Sequence, residues 1–212
     1  MGKHTEDPIA QARRYLTDIV VFGGTKFIVP AEDETVEATA PIAAEIFQSA
    51  NEFVFCAGNP SAGMVFVGEV SSTEEGRQDE FFDGAAGQLL TKIIAAMGLG
   101  RGDVYICNIL KSRLTENRDL QPEEIAQCEL YIKRQIEIIL PKVICTLGLF
   151  AAHTLLRSSE SMSRLRGRAH QYEGIPLVAT YHPAALLRNH QWKRPTWEDA
   201  KKVRAFYDGV AL

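Results

Sequence analysis

Short, β-branched apolar runs alternate with longer stretches that repeat apolar residues at helical spacing through most of this chain. Met64-Val65-Phe66-Val67-Gly68 reads as a buried strand, and Ala85 to Met97 follows with one apolar helical face before Gly98 and Gly100 stop it. Val104 to Ile109 predicts a second strand, followed by a polar loop and a helix from about Pro122, at its first turn, to Leu140. Pro141 to Gly148 predicts a third strand, and Leu149 to Leu156 a third helix. Ile175 to Thr180, bounded by Gly174, predicts a fourth strand, and a last helix is expected from about Trp197 to Tyr207. This alternation predicts an α/β fold, a three-layer α/β/α arrangement around a central, mainly parallel four-stranded sheet. Helices are also expected near Pro8 to Val20 and from Ala38 to Ser49, with a Gly23-Gly24 break between them. With no linker in sight, residues 1–52 are expected to be a helical extension packed on the core of a single domain spanning 1–212.

In a parallel sheet, polar residues at the carboxyl ends of the strands converge on one crevice. Here they are Glu69, Asn108, Gly148 and His182. The stretch Thr180-Tyr181-His182-Pro183-Ala184-Ala185-Leu186-Leu187-Arg188 is the most distinctive, with an imidazole at a strand end and two leucines and a cation just beyond it. Pro183 disfavours helix for His182 and suits the first turn of a helix that starts there. The Asn108 amide both donates and accepts, which suits the edge of a nucleobase, but such an amide also satisfies backbone groups in turns. His182 likewise reads either as a ligand-facing group or as a buried, hydrogen-bonded histidine. Their common position at strand ends favours the functional reading of both.

Composition narrows the classes. With 212 residues, 46% of them hydrophobic, the chain can bury one sizeable core. No apolar run is long enough to span a bilayer, and Met1 to His4 does not open a signal peptide, so a cytoplasmic protein without membrane contact is expected. Cys56, Cys107, Cys128 and Cys145 contain no CxxC pair, which argues against a disulfide framework or a zinc site. No GxGxxG follows any strand, which argues against a nucleotide-binding oxidoreductase. The net charge of -4 argues against bulk electrostatic attraction to nucleic acid. The charges are nonetheless uneven: ten Lys or Arg residues lie between Arg157 and Arg204, while acid concentrates in Glu32 to Glu45 and Glu69 to Asp83. One basic face on an acidic body can still neutralise a few phosphates.

Five blocks then occur in order: Val67-Gly68-Glu69; Phe81-Phe82-Asp83-Gly84-Ala85-Ala86-Gly87-Gln88-Leu89-Leu90; Cys107 to Arg113 with Asn117-Arg118; Leu165-Arg166-Gly167-Arg168; and His182 to Arg188. As an ordered set, covering about Phe55 to Tyr207, they resemble the family 4 uracil-DNA glycosylases, the iron-sulfur type. The resemblance implies an enzyme that flips uracil, or a related damaged base, out of single- or double-stranded DNA and hydrolyses its N-glycosidic bond. It implies that Phe82 stacks on the base, Asn108 bonds its pyrimidine edge and His182 stabilises charge on the departing uracil. The loop from Gly68 and Glu69 through Val70 would hold the base and position the attacking water, with Glu75 as its support. Leu187 would fill the vacated stack, and Arg188, Lys111, Arg118, Arg166 and Arg168 would contact the DNA backbone. A monomer is expected.

The sequence also departs from the pattern of that family. Of its four cluster cysteines only Cys128 is matched, with Pro41, Ala44 and Ser112 at the other positions, so the iron-sulfur cluster is expected to be absent, with no other metal. Val70-Ser71-Ser72 replaces a small residue, proline and glycine after the Gly-Glu pair, adding bulk where backbone approaches the base. A DNA- or base-binding protein that keeps the pocket but has lost hydrolysis is therefore the alternative.

Overall fold

The computed structural model describes residues 56–59, 61–69, 84–110 and 122–210. The expected helices within 1–52, together with Val70, Glu75, Phe82, Lys111 and Arg118, lie outside the described residues. All described elements belong to one compact unit, Val54–Lys111 with Gln121–Leu212. Its strands are β1 (Cys56–Gly58), β2 (Met64–Gly68), β3 (Tyr105–Asn108), β4 (Val143–Leu147), β5 (His170–Tyr172) and β6 (Ile175–Thr180). The α-helices are α1 (Ala85–Ala96), α2 (Pro122–Ile139), α3 (Leu149–Leu156), α4 (Met162–Leu165), α5 (Pro183–Arg188) and α6 (Lys193–Tyr207), with 3-10 turns at Arg101–Asp103 and His190–Trp192. Among the described residues no helix is long and apolar enough to cross a membrane.

The sheet order is β1-β3-β2-β4-β6-β5. The four inner strands are parallel, with Gly68 opposite Asn108, Val67 opposite Thr146 and Leu147 opposite Thr180. The α/β/α fold stands, but the sheet has six strands rather than the expected four. The two additions are antiparallel edge strands of three residues, Cys-Ala-Gly and His-Gln-Tyr, too short and too weakly patterned to register as alternation. β5 and β6 are joined by Glu173 (φ 48) and Gly174 (φ 79), the two left-handed positions of a tight hairpin turn whose twist suits the strands. Pro176 faces only β5, outside the parallel ladder that begins at Leu177, which is where a strand tolerates a missing N–H.

Strand side chains alternate between faces, and the core follows that parity. Met64, Phe66, Ile106, Val143, Cys145, Leu147 and Val178 pack with Leu90 and Ile94 of α1 and Ala200 and Val203 of α6. On the other face Ala179 meets Ala152 of α3 and Met162 and Leu165 of α4. There too Gln135 of α2 donates to the buried Tyr105 hydroxyl at 2.9 Å. Full burial of Leu90 and Ile94 contributes about 1.5–3 kcal/mol each, enough to fix α1 on the sheet. Helix α6 begins four residues earlier than expected. Pro195 falls in its first turn, where a missing N–H costs nothing, and so does not mark a boundary.

Candidate active site

The carboxyl ends of β2 and β3 are tied together by backbone. Ile109 N–H donates to Gly68 O at 2.9 Å and Leu110 N–H to Glu69 O at 3.0 Å. This fixes Asn108, 1% exposed, directly across from Gly68. Glu69 keeps an exposed side chain, and the partial desolvation of its carboxyl raises it above its ordinary value.

The other half of the site grows from β4 and β6. Gly148 N–H donates to Thr180 O at 2.9 Å, joining the two strand ends. Gly148 has φ 96 and ψ 169, a region essentially open to glycine alone, and a Cβ there would lie 3.2 Å from the His182 Cβ. Glycine is thus required twice over, by its backbone and by the closeness of His182. We expect Gly148→Ala to cost roughly 1–3 kcal/mol and to displace His182, so that the melting temperature falls and the His182 ring resonances shift together. A variant unchanged in both measurements would remove Gly148 from this role.

His182 is extended (φ -65, ψ 138) and caps α5, with Pro183 as the first helical residue. Its Nδ1 accepts the Ala184 N–H at 3.2 Å, while its carbonyl accepts from Ala185 at 2.9 Å and Leu186 at 3.3 Å. A ring nitrogen that accepts carries no proton, so the neutral imidazole holds its hydrogen on Nε2. Burial, and secondarily the Arg188 guanidinium, lower the His182 pKa to about 4, so this neutral donor tautomer prevails at physiological pH. Two strands separate β3 from β6, so spacing alone sets the Asn108 and His182 backbones about 14 Å apart along the sheet edge. Asn108 and His182 thus leave the same carboxyl edge of the sheet from different strands.

Beyond His182 the two leucines of α5 divide. Leu186 is 1% exposed, whereas Leu187 is 41% exposed, with Arg188 beside it at the surface. One leucine anchors the helix and the other is exposed.

The basic candidates also divide. Arg168 is a surface residue, bonded to Glu160 at 2.7 Å and to the Arg164 carbonyl at 2.8 Å. Arg166, expected at the DNA backbone, is instead committed inward. Its Nε donates to Asp199 Oδ2 at 3.0 Å, and its terminal nitrogen donates to Asp199 Oδ1 at 3.1 Å and to Pro195 O at 2.6 Å. The physical reason is Asp199, which is 0% exposed and needs a cation. Thr180 also donates to Asp199 Oδ2, at 2.9 Å. Burial raises the Asp199 carboxyl above its ordinary value, and the bonds from Thr180, Arg166 and the Gly167 N–H oppose that shift. The Arg166 guanidinium lies 5.7 Å from the Tyr181 ring centroid, and Tyr181 stacks on Trp192 at 4.5 Å and 5°. Asp199, Thr180 and this stack were missed in the sequence. The signal was present: Thr196, Asp199, Ala200 and Val203 repeat at i, i+3, i+4 and i+7, which puts Asp199 on the buried face of α6.

A sheet whose four inner strands are parallel, covered by helices and carrying a buried amide and a neutral imidazole at its strand ends, defines a three-layer α/β protein. The profile of the Uracil DNA glycosylase superfamily matches residues 55–201, and the chain belongs to that superfamily. The type-4 uracil-DNA glycosylase of Archaeoglobus fulgidus is 40% identical over 167 residues, 75% of this chain and 84% of that protein. The type-4 enzyme of Sulfurisphaera tokodaii is 38% identical over 156 residues, 69% of this chain and 71% of its own. That of Thermotoga maritima is 39% identical over 153 residues, 70% of this chain and 80% of its own.

These relatives correct the expectation that the chain has no cofactor. At 38–40% identity it groups with type-4 enzymes, the iron-sulfur class, so the unmatched cysteine positions are no ground for excluding the cluster. Cys128 is buried in α2, and among the described residues no group of three or more His, Cys, Asp or Glu side chains is arranged to hold a metal. The described residues alone therefore do not supply the thiolates such a cluster takes, while positions 41, 44 and 112 lie outside them.

Proposed function

We propose that the protein is a DNA repair hydrolase that flips uracil, or a related damaged base, out of DNA and hydrolyses its N-glycosidic bond, leaving the free base and an abasic site. The observation that carries this reading is His182 as a neutral Nε2–H donor, at the carboxyl edge of the sheet that also carries the buried Asn108 amide, in a chain of this superfamily. As the bond from the sugar to N1 breaks, its electron pair passes into the base and charge gathers on uracil O2. A donor held there in advance contributes most in that late state. The sugar takes oxocarbenium character, and water adds to its anomeric carbon.

Asn108 supplies selectivity, since cytosine offers an amino donor where uracil offers an acceptor and so leaves a buried polar group mismatched. Phe82 stacks on the base, worth about 1–3 kcal/mol without much choice among bases. Gly68, Glu69 and Val70 form the loop that holds the base, and Glu75 supports the attacking water. Leu187, supported by its exposure, fills the gap in the stack, with Arg188 beside it. Lys111, Arg118 and Arg168 contact the DNA backbone. The protein acts as a cytoplasmic monomer on single- or double-stranded DNA.

Oligonucleotides carrying one uracil, treated with the protein and then with alkali, test this directly. Strand cleavage at the uracil is expected, and Asn108→Ala is expected to slow it about 10- to 100-fold. Tight binding with no abasic product on any substrate would overturn the enzyme reading in favour of a binding protein, the outcome that the bulkier Val70-Ser71-Ser72 stretch favours.

A further inference from the structure

We propose that Arg188, Lys193 and Arg194, on the turn that leads from α5 into α6, form a phosphate-gripping surface for the DNA strand flanking the extruded base. The inference rests on the glycosylase reading for its ligand, and on the distribution of ion pairs for its position.

Of the ten cations between Arg157 and Arg204, five are paired with carboxylates: Arg157 with Glu129, Arg166 with Asp199, Arg168 with Glu160, Lys201 with Glu198 and Arg204 with Asp208. Lys202 donates to the Gly167 carbonyl. Among the described residues, the cations of this stretch with neither a carboxylate at ion-pair distance nor a backbone carbonyl acceptor are Arg164, Arg188, Lys193 and Arg194. Three of the four share one short turn, and that turn starts at the exposed Leu187. A protein with a net charge of -4 needs such a local concentration to hold a polyanion.

The helix dipole does not account for Lys193 and Arg194. Lys193 and Arg194 open α6, whose first turn contains no acidic residue, and cations are disfavoured at the positive end of a helix dipole. Charges that oppose the local structural preference are expected where function requires them. Nor is the turn loose: the Asn189 side chain accepts the Gln191 N–H at 3.3 Å, and the Trp192 ring is stacked on Tyr181, next in sequence to His182. The backbone that carries the cations is thereby tied to the segment that carries His182. Backbone contacts of this kind position a protein on DNA without reading sequence.

The test compares K193Q/R194Q with K201Q/R204Q, which removes the same charge from the later turns of α6. Binding is measured on uracil-containing and uracil-free duplexes across a salt series. K193Q/R194Q is expected to weaken binding to both duplexes by about 10- to 30-fold near 0.15 M salt and to reduce the slope of log K against log salt by about 2, while K201Q/R204Q keeps the wild-type slope. K193E/R194E separates binding from folding: acids suit the start of α6, so this variant should melt no lower than wild type yet bind more weakly still. A wild-type slope in K193Q/R194Q, or an equal loss in K201Q/R204Q, would overturn the proposal. Because uracil-free duplex reports on this surface without catalysis, failure of the wild type to release uracil would sink the glycosylase reading and leave this measurement standing on its own.

Discussion

His182→Ala is expected to lower the rate of uracil release by about 10²- to 10³-fold, the usual effect of removing one preorganised donor to a developing anion. Affinity for uracil-containing DNA is expected to change far less, because the bond in question matters most after the glycosidic bond has begun to break. Single-turnover rates and binding constants measured together check the split; an equal loss in both would mean that His182 only shapes the pocket. The pH dependence gives a second, independent reading. With a pKa of about 4, His182 stays neutral from pH 8 to about pH 5, so the rate should show no inflection near 6.5, where an ordinary histidine titrates. Below that range protonation turns Nδ1 into a donor facing the Ala184 N–H and breaks the cap on α5. The sign for stability follows. The unfolded chain takes up this proton near 6.5 and the folded chain only near 4, so His182 makes folding stability fall as pH drops through that window and leaves it unaffected above.

Much of this was legible in the sequence, for a physical reason. Strands buried on both faces must be nearly continuous apolar runs, so β2, β3, β4 and β6 stand out, and with them the residues at their carboxyl ends. His182 was placed by Pro183, whose ring fixes where α5 begins. The short edge strands β1 and β5 were not legible, because three residues leave no period to detect. The role of Arg166 was misread for another reason. A guanidinium bonds equally well to a phosphate or to a carboxylate, and only the fold, by carrying Asp199 on α6 to the end of β6, decides between them. Leu186 and Leu187 are chemically alike and adjacent in sequence. Their division into anchor and exposed side chain depends on the packing of α5 against the body.

Asp199→Ala is expected to be the most destabilising single change in this group, at about 3–5 kcal/mol, because it leaves the Arg166 guanidinium mostly buried without its partner. It also removes the acceptor of the Thr180 hydroxyl, which is buried at the end of β6, two residues before His182. Denaturant unfolding would show the loss, and a cost under about 1 kcal/mol would mean that the pair behaves as a solvated surface bridge. The double variant Arg166→Met with Asp199→Leu distinguishes charge from packing. Replacing both partners by apolar groups of similar size removes the unpaired charge, so most of the lost stability should return. Catalysis should not return with it. The apolar pair no longer bonds Thr180, and it no longer sets a guanidinium against the Tyr181 ring that stacks on Trp192, so the segment leading into His182 loses its fixed geometry. A double variant restored in stability but slow in uracil release would assign to Asp199 the positioning of His182; full recovery of both would reduce it to a means of burying an arginine.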